Sequence, residues 1–222
     1  MDTSRFEAVD QYISRLFAPE DDVLIQVQQC LDAENLPAIS VSPSQGKLLM
    51  MLARLCQAQR ILEIGTLGGY STIWLARSLP IDGRLVTIEL EPRYAQVAQH
   101  NIDQAGLTSR VEIRVGNALE LLPQLKTNID TSFDMVFIDA DKPPYVEYFQ
   151  YALSMTRSGG LIVLDNVVRD GKLLDSESTD PKVKGVQRFT TMLANCPDVT
   201  SLILPSVGVK GYDGIAIALV NE

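Results

Sequence analysis

The sequence predicts an α/β fold, a doubly wound and mostly parallel sheet whose last strand is antiparallel. Short runs that are apolar throughout alternate with helical patterns, which is typical of a parallel sheet covered by helices on both faces. The last two apolar runs lie close together, which indicates an antiparallel hairpin at the edge of the sheet. The chain has 222 residues and no linker-like tract, so one domain spanning residues 1–222 is the prediction.

The predicted elements follow one another in a regular order. Residues 1–40 are interpreted as a helical N-terminal extension, after which Ser42 can cap a third helix and Pro43 can occupy its first turn. A hairpin closes the chain, with SVGVKGYD as the segment between its two strands. The seven strands are predicted, in chain order, from the runs RILEIG, RLVTIEL, VEIRVG, FDMVFID, GGLIVLDNV, VTSLILP and GIAIALV.

Composition and charge narrow the class of protein. Hydrophobic residues make up 46% and charged residues 21% of the chain, which is typical of a globular rather than a disordered protein. The formal net charge of −9 argues against broad electrostatic binding to nucleic acid or to an anionic membrane surface. The N-terminus lacks the apolar core of a signal peptide, and no apolar run approaches the roughly 18 residues of a membrane helix.

Cysteine and histidine usage excludes several kinds of site. Cys30, Cys56 and Cys196 are widely spaced and form no CxxC pair. The first two lie in helical patterns, so we expect buried reduced thiols and a cytoplasmic protein. His100 is the single histidine, and it lies in a predicted surface helix, where we expect no catalytic role. A lone histidine excludes most zinc sites and serine–histidine triads.

The first βα turn, LEIGTLGGYS at residues 62–71, indicates a cofactor site. Its glycines follow the pattern G-x-x-G-G, so the G-x-G-x-x-G cradle for a pyrophosphate is incomplete. Glu63 places a carboxylate just before the turn, where it would repel a phosphate and attract a cation. Glu89 ends the second strand, where an acid can accept hydrogen bonds from ribose hydroxyls. S-adenosylmethionine has a sulfonium, an amino group and no phosphate, so these features favour it over NAD.

Two strand ends carry a candidate metal site. Asp139 follows the fourth strand and Asp165 with Asn166 follows the fifth. One helix separates these strands, so their carboxyl ends should be neighbours in the sheet. Two carboxylates and an amide suit a hard cation such as Mg²⁺ and leave about half of its octahedral shell for substrate and water. The alternative is that the two aspartates only cap the segments that follow them.

Lys142 lies three residues after Asp139, close enough to reach a ligand of that cation. A neighbouring cation lowers the pKa of an ammonium group, and a lysine brought towards neutrality can act as a general base. The alternative is a solvated lysine in a turn.

Six segments, in the order LEIGTLGGYSTIWLA, TIELEP, GNALELLPQL, FIDADKPPY, LDNVV and GYDGIAIAL, resemble the cation-dependent class I O-methyltransferases. This family includes catechol and caffeoyl-coenzyme A O-methyltransferases, and the similarity, from Val41 to Val220, is strongest towards the small bacterial members. The resemblance implies the Rossmann-like methyltransferase fold, with S-adenosylmethionine as methyl donor. It also implies Mg²⁺, or another hard divalent cation such as Mn²⁺ or Ca²⁺, and transfer to one hydroxyl of a catechol-like vicinal diol such as a phenylpropanoid or flavonoid.

The resemblance assigns roles residue by residue. It implies that Lys142 is the catalytic base and that Asp139, Asp165 and Asn166 hold the metal, with Asp139 also counted as catalytic. It implies cofactor contacts for the methionine part by Glu63, Gly65 and Ser71, for the ribose by Glu89, for the adenine by Ala118, and further contacts by Val41, Thr66, Asp139 and Asp141.

The match departs from the plant coenzyme A branch after LDNV. Arg169 and Asp170 replace a Trp and a substrate-contacting Asn of that branch, so caffeoyl-coenzyme A is not the expected acceptor. Residues 169–183 are polar and rich in turn formers, and we interpret them as a flap over the acceptor or, alternatively, as a plain surface loop. Three aromatic residues are either walls of the acceptor pocket or core residues. They are Tyr145 and Tyr148, in the helix after Lys142, and Trp74, in the helix after the glycine turn.

The expected partner is a small phenolic molecule, with no membrane and no nucleic acid. The resemblance implies a homodimer, and the N-terminal helices are a reasonable place for its contacts. The alternative function is methylation of a hydroxylated tRNA uridine with the same metal chemistry, as in some bacterial relatives. The net negative charge of the chain argues against a tRNA substrate. Five basic residues could nevertheless lie near the mouth of the site: Lys172, Lys182, Lys184, Arg188 and Lys210.

Overall fold

The computed structural model describes residues 3–128 and 132–222 and has the predicted α/β architecture. Met1 and Asp2, the first two residues of the predicted helical extension, lie outside the described residues. The strands are β1 (Arg60–Ile64), β2 (Arg84–Glu89), β3 (Val111–Val115), β4 (Phe133–Ile138), β5 (Thr156–Leu164), β6 (Val199–Gly208) and β7 (Gly211–Val220). The α-helices are α1 (Thr3–Phe17), α2 (Asp22–Ala33), α3 (Pro43–Leu55), α4 (Tyr70–Ala76), α5 (Pro92–Gln104), α6 (Ala118–Asn128), α7 (Tyr145–Met155) and α8 (Pro181–Ala194).

The seven strands form one sheet in the order β3-β2-β1-β4-β5-β7-β6. The pairs among β1 to β5 are parallel, and β7 lies antiparallel to both β5 and β6. This topology confirms the predicted doubly wound sheet with its antiparallel last strand. The strand order reverses between β1 and β4, and ligands of such sheets bind at the carboxyl ends of the strands beside this point.

The core lies on both faces of the sheet. In β4, Val136 and Ile138 face a cluster formed with α6, α7 and α8, whereas Met135 and Phe137 face a cluster formed with α2 to α5. All four side chains are fully buried. The central strands are therefore apolar throughout, because both of their faces are removed from water.

The beginning of α3 follows its sequence signal. Ser42 Oγ accepts a hydrogen bond from Gln45 N at 3.3 Å, and Gln45 Oε1 accepts one from Ser42 N at 2.9 Å. These two bonds form a capping box, and Pro43 is the first residue of the helix. The predicted cap is confirmed.

The cysteines are unpaired, as predicted, but they are half-buried rather than buried. Cys30 lies at the margin of the buried face of α2, and Cys56 occupies the C-cap of α3, where a side chain meets solvent. The cytoplasmic location stays a prediction. Within the described parts of the chain, no helix is both long and apolar enough to cross a membrane.

The closing hairpin is longer than predicted. Pairing of β6 with β7 continues to Gly208 and Gly211, so the expected eight-residue connection is reduced to Val209 and Lys210. Gly211, with a φ of 81°, permits the reversal at the turn. Pairing of β7 with β5 begins only at Ala216, so the first five residues of β7 extend past the carboxyl end of β5.

Candidate active site

The glycine turn after β1 packs directly on the end of β4. Gly65 has a φ of +98°, and a Cβ atom at this position would lie 2.1 Å from the Asp139 carbonyl oxygen. Asp139 N donates a hydrogen bond to Ile64 O at 2.9 Å. The predicted cofactor turn and the first predicted metal ligand are therefore neighbours, and only glycine fits between them.

Glu63 is a fully buried carboxylate held by hydroxyl groups. Ser71 Oγ donates to its Oε1 at 2.6 Å, Thr87 Oγ1 donates to its Oε2 at 2.7 Å, and Thr72 Oγ1 also donates to Oε2. Burial raises the pKa of Glu63 to about 7, although these three hydroxyls favour the charged form. The predicted cofactor residues Glu63 and Ser71 thus contact each other at the beginning of α4.

The raised pKa of Glu63 predicts a pH dependence of stability. The folded protein binds this proton up to about pH 7, whereas the unfolded chain releases it near pH 4.5. The contribution of Glu63 to the free energy of unfolding therefore falls as pH rises through this window. Glu63→Gln removes the titration, so the variant should gain about 3 kcal/mol relative to the wild type over the window.

Urea unfolding at about pH 4.5 and about pH 8 measures this gain. Glu120→Gln, at an exposed position on α6, is the matched control and should leave the difference unchanged. A stability difference between Glu63→Gln and wild type that is the same at both pH values would contradict the prediction.

Glu89, at the end of β2, holds the glycine turn from the other side. Its Oε2 accepts hydrogen bonds from Thr66 N at 3.1 Å and Leu67 N at 2.7 Å, and its Oε1 accepts one from Glu91 N at 2.9 Å. A carboxylate has about four acceptor positions, so Glu89 keeps little capacity for ribose hydroxyls. Its role on a ribose stays a prediction, and its role in shaping the turn was missed by sequence reasoning.

Three further predicted cofactor residues lie around the same edge. Val41 precedes α3 and Ala118 begins α6, and both are buried. Asp141 is exposed after the end of β4. Their contacts with a cofactor stay predictions.

The predicted metal ligands lie on adjacent strand ends, since Ile138 pairs with Leu164. Burial and, after it, the negative charge of Asp139 together raise the pKa of Asp165 to about 7. Asn166 has a φ of 56°, a left-handed conformation that asparagine tolerates. The two carboxylates repel each other, and the amide of Asn166 lies next to Asp165 in the chain. Together they are hard oxygen ligands, which fit a hard divalent cation.

This donor set contains only two carboxylates. No group of three or more His, Cys, Asp or Glu residues within 3–128 and 132–222 is placed to hold a metal ion, so the amide of Asn166 would have to complete it. The metal site stays a prediction.

Lys142 is buried against this pair, with only 6% of its surface exposed. Its Nζ lies 3.0 Å from Asp139 Oδ1 and 4.9 Å from the centre of the Tyr145 ring. Burial lowers the pKa of Lys142, but Tyr145 and the Asp139 carboxylate raise it more, so its net shift is upward. The predicted lowering therefore requires a cation that neutralises Asp139. The alternative of a solvated lysine is wrong.

Two residues near Asp165 were missed or misread from the sequence. Gln45 Nε2 donates a hydrogen bond to Asp165 Oδ1 at 3.3 Å, a contact that no sequence pattern indicated. Tyr145 OH donates to the Asp165 carbonyl oxygen at 2.8 Å.

The three aromatic residues Tyr145, Tyr148 and Trp74 are buried in the core. Their interpretation as pocket walls is therefore not supported, and the core alternative is confirmed.

Residues 169–180 form a mostly exposed connection with one 3₁₀ turn, Lys172–Leu174, whereas residues 181–183 of the predicted loop belong to the first turn of α8. Gln187 on α8 donates to the carbonyl oxygens of Leu173 at 3.1 Å and Asp175 at 2.7 Å. The connection is thus tied to α8, and its function as a flap over the acceptor stays a prediction.

Comparison with known proteins decides the family. A family profile described as O-methyltransferase matches residues 14–220. The chain belongs to the O-methyltransferase family. Among its relatives, the catechol O-methyltransferase of Niastella koreensis is 58% identical over 221 residues, covering 100% of both chains. The catechol O-methyltransferase of Mycobacterium tuberculosis is 45% identical over 213 residues, covering 96% of this chain and 95% of the relative.

Solved structures of O-methyltransferases share the whole fold. TomG from Streptomyces achromogenes, in complex with S-adenosylmethionine, is 50% identical with a TM-score of 0.96 and covers 100% of both chains. The Bacillus cereus O-methyltransferase, in complex with S-adenosylhomocysteine, is 48% identical with a TM-score of 0.96, covering 99% of this chain and 100% of that one. These findings confirm the predicted enzyme class, an O-methyltransferase of the S-adenosylmethionine-dependent kind.

Proposed function

We propose that this O-methyltransferase is cation-dependent and moves the methyl group of S-adenosylmethionine to one hydroxyl of a small catechol-like diol. The observation that carries the proposal is the arrangement of Lys142, Asp139, Asp165 and Asn166 at two adjacent strand ends, directly beside the glycine turn. The relatives named catechol O-methyltransferase support this acceptor class.

The proposed metal ligands are Asp139, Asp165 and Asn166. A hard divalent cation, Mg²⁺ or else Mn²⁺ or Ca²⁺, would supply Lewis-acid polarisation of the two neighbouring hydroxyls. Gln45 and Tyr145 orient Asp165 through their hydrogen bonds to its carboxylate and carbonyl oxygens. Such outer contacts fix the direction of a ligand group.

Lys142 is the proposed base. Its Nζ takes the proton of one acceptor hydroxyl, whose oxygen attacks the methyl carbon of S-adenosylmethionine as the carbon–sulfur bond breaks. The Tyr145 ring and the burial of the Lys142 stem hold Nζ in one place. Much of the rate should therefore come from the positioning of the reacting atoms.

The cofactor is proposed to lie over the glycine turn. Glu63 offers a buried carboxyl group below the turn, whose charged form the cationic methionine part would favour. Gly65 lets the backbone turn against β4, and Glu89 holds the turn amides in place. Ala118 adds an apolar contact at the start of α6.

Methyl transfer from labelled S-adenosylmethionine tests this function. The acceptors are caffeate and its monohydroxy analogue, each with Mg²⁺ and with a chelator. The expected result is transfer to the diol only, abolished by the chelator. Transfer that persists with the chelator, or that reaches the monohydroxy analogue equally, would contradict the proposal. If no small diol is methylated, hydroxylated tRNA is the next acceptor to test.

The homodimer is also a proposal, and an apolar surface supports it. The outer face of α1 exposes several large apolar side chains, including Phe17 at 70%. It packs beside β6, an edge strand that also exposes Leu202 and Leu204. Apolar patches and open strand edges of this kind mark subunit interfaces. The surface comprises Val9, Tyr12, Ile13, Leu16, Phe17, Leu202, Leu204 and Val207.

Phe17→Glu combined with Leu204→Lys should convert the dimer into a monomer, because charged groups would have to be desolvated at the interface. Sedimentation velocity measures the change. Glu120→Gln on α6 is the control and should remain dimeric. A monomeric wild-type protein would contradict this proposal.

A further inference from the structure

We infer that Arg169 and Lys210 form an anion subsite beside the reacting centre, so that the preferred acceptor is a diol that carries a carboxylate. This inference rests on the proposed function, whose substrate class it makes narrower. The two cations come from the segment after β5 and from the β6–β7 turn, which lie next to each other at the carboxyl edge of the sheet.

The turn that carries Lys210 is held on both sides. Val209 N donates a hydrogen bond to Asp10 Oδ2 of α1 at 3.0 Å. On the other strand, Asp170 N donates to the Tyr212 carbonyl oxygen at 2.8 Å. Lys210 therefore projects from a fixed two-residue turn, adjoining the segment that begins with Asn166 and Val167.

The charge environment places the Lys210 ammonium group near the predicted metal ligands. Burial lowers the pKa of Lys210, while the carboxylates of Asp139 and Asp165 act in the opposite direction. Its ammonium is thus within electrostatic reach of both carboxylates. Among the ion pairs of the described residues, Asp139 is paired with Lys142 and none involves Lys210. Lys210 can therefore take a further anion at this site.

Arg169 supplies the second cation, four residues after Asp165. Its backbone has a φ of 57°, and its N donates to Asp213 Oδ1 at 2.9 Å. The same Oδ1 accepts from Val168 N and Gly214 N, both at 2.9 Å. This network holds a strained conformation in place, and such conformations concentrate at ligand sites.

One hydrogen-bond donor of the Arg169 guanidinium, Nε, has no acceptor in the part of the chain that the structure describes. Its Nε is buried and makes no hydrogen bond within the described residues. An unsatisfied buried donor costs free energy that an incoming acceptor atom recovers. Asp213 is not a partner of this guanidinium, because no ion pair within the described residues involves Arg169.

A carboxylate fits these two groups better than a neutral substituent does. Guanidinium binds a carboxylate through parallel hydrogen bonds, and an ammonium group adds a point charge. An acceptor held by its two hydroxyls at one end and by a carboxylate at the other is fixed in one orientation. Arg169 and Lys210 therefore also determine which hydroxyl faces Lys142.

The test compares acids with their methyl esters, using 3,4-dihydroxybenzoate and caffeate as acceptors with Mg²⁺. In the wild type, kcat/KM should be about tenfold higher for at least one acid than for its ester, the size of one charge-assisted hydrogen bond. Lys210→Met and Arg169→Lys should each remove most of this preference through KM, with the ester unchanged within about twofold. They should also change the ratio of the two methylated isomers of the acid. Lys126→Met removes one exposed positive charge from α6 and should leave the preference and the ratio unchanged.

Equal kcat/KM for acid and ester in the wild type would overturn the inference, as would an equal loss for both in Lys210→Met. If neither acceptor is methylated, the proposed function fails. Equilibrium binding of the same compounds, in the presence of S-adenosylhomocysteine and Mg²⁺, then tests whether the anion subsite exists. The subsite is supported if the acid binds more tightly than the ester in the wild type but not in Lys210→Met. It is overturned if wild type and variant show the same preference.

Discussion

Replacing Lys142 by methionine should lower kcat for methyl transfer to caffeate by about 10³-fold, the size expected when a general base is lost. Methionine retains an apolar stem over the Tyr145 ring, where Lys142 Nζ now lies 4.9 Å from the ring centre. The cofactor turn is not touched by this change. Binding of S-adenosylhomocysteine, measured by calorimetry, should therefore stay within about threefold of wild type, a small effect on the free-energy scale.

Lys142→Arg separates the charge of this residue from its role as a base. Arginine keeps a positive charge beside Asp139 but cannot be deprotonated, so the variant should be nearly as inactive as Lys142→Met. Lys126→Met, at an exposed position on α6, should keep wild-type activity. Activity of Lys142→Arg within about tenfold of wild type would show that a positive charge, rather than a base, is what the reaction needs.

Gly65→Ala should cost about 3 kcal/mol of stability and abolish most of the activity. The methyl group would lie 2.1 Å from the Asp139 carbonyl oxygen, and relieving such an overlap costs about 1–3 kcal/mol. The φ of +98° at this position adds roughly 1–2 kcal/mol for a residue with a Cβ atom. Relaxation must move the glycine turn or the end of β4, and both carry proposed site residues.

Gly106→Ala is the matched control, because it tests the cost of a positive φ without the overlap with Asp139. Gly106 also has a positive φ, +69°, but a Cβ atom there would meet no atom within 4 Å. It should lose about 1 kcal/mol in urea unfolding and keep wild-type kcat. Equal losses of stability and activity in the two variants would contradict the role of the contact with Asp139.

Local patterns were enough to predict the fold. Runs such as FDMVFI are apolar at every position, and in the structure both faces of β4 are buried by helices. The capping box of Ser42 and Gln45 and the hairpin of β6 and β7 also depend on residues close together in the chain. Periodicity, capping and turn residues act over a few positions, so the sequence states them directly.

The candidate site was predictable where strand ends carry charged residues. The parallel order of β1, β4 and β5 brings the ends of these strands together, so Glu63, Asp139 and Asp165 could be placed at one edge from the sequence alone. Lys142 followed from its distance of three residues from Asp139. Its burial, its contact with Tyr145 and its ion pair did not follow.

Patterns within the sequence therefore predict the α/β sheet, the charged residues at its carboxyl edge and the family. The way these groups are held depends on contacts between segments that are distant in the chain. The hydrogen bond from Gln45 to Asp165 joins residues 120 positions apart. The contact of Gly65 with Asp139 joins the ends of two neighbouring strands, β1 and β4. The extension of the hairpin past the end of β5, which places β7 beside the segment that contains Arg169, also depends on residues far apart in the chain. Packing of distant segments, not local propensity, sets these distances and charges.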